Sequence, residues 1–459
     1  MADVATDVCV VGGGPAGTSV ALRLAQLGHR VCVIDRGCGA RTGRDESAAP
    51  TIGPVLDVLG LRPLIDVGGV LRPARTWSLW STSQEVSRDD QALLLDRTGF
   101  DRLLRDAAAG AGAFILGPAS ARRPLASGAD WAIPVDTESG QVVITARILV
   151  DARGRRARGV WSGTPTVALC ARWSSEAAPD VSHMVVEALR NGWMWASARL
   201  DRSIIALAFV DMQRCRGLGR RGRQRLYRSL LAASKLFMRY RPTELLGEVE
   251  LRDATWRADD QIVSTRYIKV GDRAFGMDPL SSQGIQAALR SGIQASAVVH
   301  TILSGGNAGA ALRFYSESQR SAVAQHCRAT SAAYADQKLY SSSFWQQRAS
   351  GAVSRLPQAA PVPLVTPETR LRLATDARVV DVPALDGDLI CNRPALVHPA
   401  LERPVAWFAG TATGAILGDF KDNLTASAVV SDWSRQMTPT AASDALSWLI
   451  ERGIIVCCE

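Results

Sequence analysis

Lysine is nearly missing from this chain. Of 53 basic residues only Lys235, Lys269, Lys338 and Lys421 are lysine, and none lies before position 235. The net charge of +9 is therefore carried by arginine, and no RNA- or DNA-reading motif accompanies it, so a nucleic-acid partner is not expected. The densest basic run, Arg214 to Arg225, sits between an apolar strand and a helix, and reads either as a solvated helix start or as a docking face for an acidic partner. The nine cysteines, scattered from Cys9 to Cys458, show no zinc-ligand spacing, and their odd number argues against a closed disulfide framework. No metal site is expected. The N-terminus, Met1 to Asp7, has no basic head, and the apolar run after it is broken by Gly12, Gly13 and Gly14, so neither a signal peptide nor a membrane span is read there and the expected location is the cytoplasm. None of the five histidines has a recognisable catalytic spacing, and His326, on a helical stretch, reads as a core or surface residue rather than a base.

What is present is a globular composition, 47% hydrophobic and 21% charged over 459 residues, enough for two or three domains with cores of their own. Asp7 to Val11 reads as a strand, Gly12 to Gly17 as a glycine-rich turn, Thr18 to Leu27 as a helix closed by Gly28, and Arg30 to Asp35 as a second strand. Together these make one βαβ unit of a parallel sheet. A short helix is expected over Gly53 to Leu61 and a longer one over Thr98 to Ala109. Trp131 to Val135 and Gln141 to Val150 read as a hairpin. The runs Val167 to Trp173, His183 to Leu189, Trp193 to Leu200 and Ser203 to Val210 read as strands of a second, antiparallel sheet. Helical patterns return over Gln283 to Ile302 and Ala308 to Tyr340. Ala359 to Pro367 reads as a proline-rich linker, and a helix is expected near Ser443 to Arg452 in the unit after it.

The turn Gly12-Gly13-Gly14-Pro15-Ala16-Gly17 satisfies G-x-G-x-x-G. Gly12 lets the chain leave the strand tightly, Gly14 lets backbone approach a pyrophosphate, and Gly17 lets helix and strand pack closely. Pro15 and Ala16 open a helix whose N–H groups and dipole favour an anion. Asp35, followed by Arg36, ends the second strand where a carboxylate accepts bonds from a ribose diol. Gly217-Leu218-Gly219-Arg220-Arg221-Gly222 fits the same pattern without a strand running directly into it or an acid at the right distance, and reads as coincidence. A second segment distinguishes FAD from a nicotinamide cofactor. A strand ending in Gly271-Asp272 places a carboxylate near the ribityl and diphosphate region. Asp278-Pro279-Leu280-Ser281-Ser282-Gln283-Gly284-Ile285 then turns into a long helix whose positive end favours an anionic ring.

These motifs, with Asp96-Arg97 leading into Phe100-Asp101-x-x-Leu104 and the segment Val150-Asp151-Ala152-x-Gly154, resemble the glutathione-reductase-type flavoproteins of the para-hydroxybenzoate hydroxylase and tryptophan halogenase group, over roughly the first three quarters of the chain. The resemblance implies an α/β fold: a Rossmann-like FAD-binding domain (residues 1–76, 90–162 and 262–350), an antiparallel-sheet substrate domain (77–89 and 163–261) and a small C-terminal domain (360–459). It also implies that Arg97 contacts the cofactor and that Glu46 and Ser47 form the Glu-Ser element near the flavin, with Glu46 the candidate proton acceptor.

Three departures bear on the subgroup. Tryptophan halogenases carry an early lysine that relays hypochlorous acid and a glutamate where this chain has Ser281, and their W-x-W-x-I-P signature is half met by Trp193-Met194-Trp195-Ala196-Ser197-Ala198. Halogenation is therefore disfavoured. The run Asp278 to Ile285 looks instead like that of flavoproteins which mature quinone cofactors inside other enzymes, among them those serving lysine oxidase and quinohemoprotein amine dehydrogenase. That likeness implies an FAD monooxygenase, reduced by NAD(P)H or free reduced flavin, hydroxylating a tryptophan of a small partner protein or peptide. The alternatives are a small-molecule aromatic hydroxylase, a reductase or halogenase of the same fold, and a non-catalytic FAD-containing chaperone. A separate nicotinamide motif is absent from the sequence.

Overall fold

The computed structural model describes residues 4–37, 45–63, 71–155, 161–176, 183–199, 201–350 and 365–458. Of the expected linker, residues 359–364 lie outside the described residues. The chain divides into two compact units, Met1–Val299 with His326–Ala352, and His300–Gln325 with Val353–Glu459.

The first unit begins with the expected βαβ: β1 (Val4–Val11), α1 (Pro15–Gln26) and β2 (Val31–Ile34). The second half of β1 and all of β2 are buried, as strands covered on both faces must be. They pair in parallel, Val8 opposite Val31 through Val11 opposite Ile34, inside a nine-stranded sheet. Its main order is Val263–Ser264, Tyr267–Lys269, Gly140–Asp151, β1, β2, Phe114–Leu116. Gly140–Asp151 has two roles. Its early residues form the expected hairpin with Asp130–Thr137, and its later ones run parallel to β1 and deliver Asp151 beside Val11.

An eight-stranded sheet also belongs to this unit, in the order Pro242–Asp253, Thr166–Ser175, Ile204–Asp211, Gly192–Ala198, His183–Leu189, Leu71–Leu79, Val86–Asp96, Asp45–Ala48. Its pairs are antiparallel except His183–Leu189 with Leu71–Leu79. The four central strands fall where the alternating pattern placed them. Pro242–Asp253 was not anticipated: it is an edge strand, largely exposed and carrying Glu244, Glu248, Glu250 and Arg252, so it lacks the apolar alternation of a covered strand. Leu71–Leu79 and Val86–Asp96 were not anticipated either, since both carry arginines or acids that mask the period of two.

The two faces of this sheet differ. On Gly192–Ala198, Met194 and Ala196 pack with Tyr227, Leu230, Leu231 and Phe237 of two covering helices. Trp193 and Trp195, pointing the other way as residues two apart must, pack with Tyr334, Phe344 and Trp345. Trp193 stacks on Phe209 with ring centroids 3.8 Å apart, worth about 1 kcal/mol beyond burial. The buried Glu187 ties the short helix Lys235–Met238 to the sheet, accepting bonds from the Ser234 hydroxyl at 2.5 Å and the Leu236 amide at 2.9 Å.

Two expected helices differ by four residues at one end. The helix beginning at Ala308 ends at Asp336 rather than Tyr340, because Gln337 turns its side chain onto the Tyr340 backbone. The C-terminal helix starts four residues before Ser443, at Pro439, where Thr438 caps it. In the second unit, Leu371, Leu396, Trp433, Leu449 and Ile455 share one core, and the hairpin Arg378–Asp386 with Leu389–Val397 is held by the Ile390 amide on the Thr301 hydroxyl at 2.8 Å.

Candidate active site

The glycine turn is a packed object. A methyl group on Gly12, whose φ is +119°, would collide with the Ala152 carbonyl, and one on Gly17 with the Gly12 carbonyl. Gly13, an unspecified position in the motif, is also constrained: a methyl there would lie 2.6 Å from the Asp35 carboxyl carbon. Asp35 therefore lies against the turn, with Arg105 at 3.1 Å from its oxygen. Arg36 follows it, exposed. Helix α1 starts after Gly14 with Pro15 at its first position, no side-chain cap and no acid in its first turn. Its leading amides are thus left to an outside anion, and the glycine cradle gives a diphosphate room to approach them. These residues fit the diphosphate-ribose half of FAD.

The second segment reaches the same helix. Gly271, at φ +57°, would bring a methyl group to 2.7 Å from the Ala16 side chain, and its amide donates to Ser291 at 2.8 Å. The two glycine-bearing turns therefore converge on α1. Asp272 accepts from Arg155 at 3.0 Å, and the same guanidinium reaches the Met277 carbonyl at 2.7 Å. Asp151, almost wholly buried, fixes this junction. Burial alone would raise its pKa, but bonds from Arg153, Arg273 and Tyr267 hold it well below the usual carboxylate range.

Asp278 precedes a short 3₁₀ turn, Pro279–Ser281, and caps it through the Leu280 amide at 3.0 Å. Its carboxylate also accepts from the Tyr334 hydroxyl at 3.2 Å, while burial pushes its pKa up. Its amide donates to His326 Nε2 at 3.0 Å. Burial and the Arg155 charge lower the His326 pKa to about 4, so at neutral pH the ring is uncharged and accepts at Nε2. Ser282, in the left-handed region at φ +50°, turns the chain into the helix Gly284–Leu303, with Gly284 exposed and Ile285 buried.

Glu46 and Ser47 are brought to this segment. The Ser47 hydroxyl lies 2.8 Å from that of Ser282, and Thr51 bonds Gln286 at 3.0 Å. Arg97 is shared by two carboxylates, held by Asp101 through two bonds of 3.2 and 3.1 Å and by Glu46 Oε1 through one of 2.6 Å. Asp101 is 8% exposed and Glu46 41%. Sequence reasoning missed Tyr334 and the role of His326. With Thr330 they recur at i, i+4 and i+8 on one helix, a polar stripe legible as a face turned inward.

Residues 7–49 match the family model described as FAD dependent oxidoreductase. Among curated relatives, the chain is 27% identical over 327 residues to a tryptophan 2-halogenase of Chondromyces crocatus, covering 65% of this chain but only 62% of that relative's length. It is 25% identical over 366 residues to the putative FAD-dependent oxidoreductase LodB of Marinomonas mediterranea, covering 74% of this chain and 96% of that one. Among solved structures, the peptidyl tryptophan dihydroxylase QhpG, essential for tryptophylquinone cofactor biogenesis, superposes with a TM-score of 0.75 at 25% identity, covering 98% of this chain and 100% of that one. Among the described residues no helix is long and apolar enough to cross a membrane.

Proposed function

We propose that this chain is an FAD-dependent monooxygenase that hydroxylates a tryptophan side chain of a partner polypeptide during tryptophylquinone formation. Two similar proteins bear names in which tryptophan is the group acted on, which favours an electron-rich indole as substrate. The observation that favours oxygen insertion over halogenation is the lysine inventory. None precedes Lys235, and Lys269 is committed to Asp259 at 2.7 Å, so no early lysine amine can carry hypochlorous acid. Ser281, in place of the halogenase glutamate, points the same way.

Bound FAD would supply the two-electron activation of dioxygen, with NAD(P)H or free reduced flavin as electron source. The protein's part is to hold, orient and accept a proton. Gly12, Gly14, Pro15, Ala16 and Gly17 with the start of α1 would hold the diphosphate, Asp35 and Arg36 the adenosine ribose side, and Asp272 the ribityl side. Asp278, Pro279, Gly284 and Ile285 would face the ring, with Ser47 and Arg97 completing its surroundings. Glu46 is the candidate acceptor of the indole proton. Asp101 takes the bidentate grip on Arg97, which leaves Glu46 the more exposed carboxylate with Oε2 available to a donor.

Mass spectrometry of a tryptophan-bearing partner peptide, before and after incubation with holoprotein, oxygen, chloride and reductant, tests the reading. Two oxygen atoms added to one tryptophan is the expected result. Chlorine on the ring, or turnover of free aromatic compounds only, overturns it.

A further inference from the structure

We propose that the helix Arg220–Ala232, with the preceding Arg214 and Arg216, is a docking surface for an acidic polypeptide. The proposal rests on the peptidyl-substrate reading above and names the chemistry of that partner. Between positions 214 and 228 stand arginines 214, 216, 220, 221, 223, 225 and 228, with no aspartate or glutamate. The helix buries Tyr227, Leu230 and Leu231 against the sheet, which leaves Arg221, Arg225 and Arg228 exposed at i, i+4 and i+7, one stripe along its outer side. From Arg221 to Arg228 that stripe is about 10 Å long on a helix of 13 residues. Arg228 of this stripe rests over the Trp173 ring at 5.2 Å, and Arg220, off the stripe, reaches Glu248 at 2.8 Å. Among the described ion pairs only Arg220 of the seven meets a carboxylate, so the segment carries a net positive charge that an anion would offset.

Polypeptide carboxylates fit better than nucleic acid or membrane. The guanidinium fork matches carboxylates in two-point contacts. The aromatic residues of this region are turned away from solvent, Tyr227 fully buried and Trp173 beneath Arg228, so there is no ring for bases to stack on. Leu230 and Leu231, the residues a membrane-bound helix would insert, are spent on the core. The helix covers the face of the eight-stranded sheet opposite Tyr334 and Trp345. A ligand held there reaches the flavin side only if it is larger than the sheet is thick, which a protein partner is and a small aromatic is not.

The test is fluorescence anisotropy on the FAD-loaded full chain with three probes: a Glu/Asp-rich peptide carrying one tryptophan, a DNA duplex of equal charge, and phosphatidylserine vesicles. The acidic peptide is expected to bind tightest and to lose at least tenfold in affinity in R221E/R225E, with a smaller loss in R221Q/R225Q and none in R378E, a reversal at an exposed site of the second unit. Unchanged peptide affinity in R221E/R225E, or tighter binding of the duplex or the vesicles, overturns the proposal. Tryptophan oxygenation of a neutral peptide, followed in the same variants, keeps the two readings separate. If the docking proposal alone is wrong, wild type oxygenates neutral and acidic peptides equally. If the peptidyl-substrate reading alone is wrong, the anisotropy responds to the reversal while neither peptide gains oxygen.

Discussion

Gly12–Gly17 and Gly217–Gly222 obey the same six-residue rule, and the fold uses them in opposite ways. Around the first, a methyl group at either terminal glycine meets backbone, the Ala152 carbonyl at Gly12 and the Gly12 carbonyl at Gly17. Around Gly217 and Gly219 there is open space, and a methyl at Gly222 meets only the flexible Leu218 side chain, at 3.2 Å. The first run lies between two buried parallel strands and a helix. The second links a 3₁₀ turn to an exposed arginine helix. A glycine pattern thus acquires meaning from what packs against it.

The comparison breaks most visibly at Gly12. Gly12→Ala combines a backbone collision with a φ that L-residues avoid, and is expected to cost about 4 kcal/mol in denaturant unfolding and to abolish FAD retention. Mild stability loss with normal flavin content would mean that the turn is not a cradle.

A second difference set by packing is the acid sensitivity of His326. Its folded pKa of about 4 lies below the ordinary 6.5, so the unfolded chain binds the proton first as pH falls. The stability contributed by the neutral ring is complete above about pH 6.5 and is lost as pH drops toward 4, by roughly 3 kcal/mol in all. Urea melts of wild type and His326→Gln across this window should diverge at pH 7 and converge near pH 4. Parallel curves would remove His326 from its place on the Asp278 amide.

The smallest effect belongs to the second run. Gly219→Ala places a methyl group in open space at the helix N-cap and is expected to cost less than about 1 kcal/mol, with FAD retention unchanged. Flavin loss in this variant would show that the rejected copy of the pattern binds cofactor after all.

What could be read from sequence follows the same line. The βαβ unit was legible because its strands are buried on both faces and its helix is bounded by Gly14 and Gly28. The edge strand Pro242–Asp253 was not, since an exposed strand needs charge where a covered one needs valine. At the candidate site, Asp35 and Asp272 were singled out from the sequence as carboxylates at strand ends, and Asp278 as the start of a turn into a helix. Their partners Arg105, Arg155, Tyr334 and His326 were not, because those contacts span 48 to 117 residues and no local period encodes them. Glu46 was found by resemblance, but its sharing of Arg97 with Asp101 came only with the fold.

The most direct measurement is visible absorbance of the purified chain after reconstitution with FAD, alongside Gly12→Ala and Gly219→Ala. The account predicts a stoichiometric yellow flavoprotein for wild type and Gly219→Ala, and a colourless Gly12→Ala. A wild-type chain that stays colourless, or colour that survives in Gly12→Ala, would contradict it.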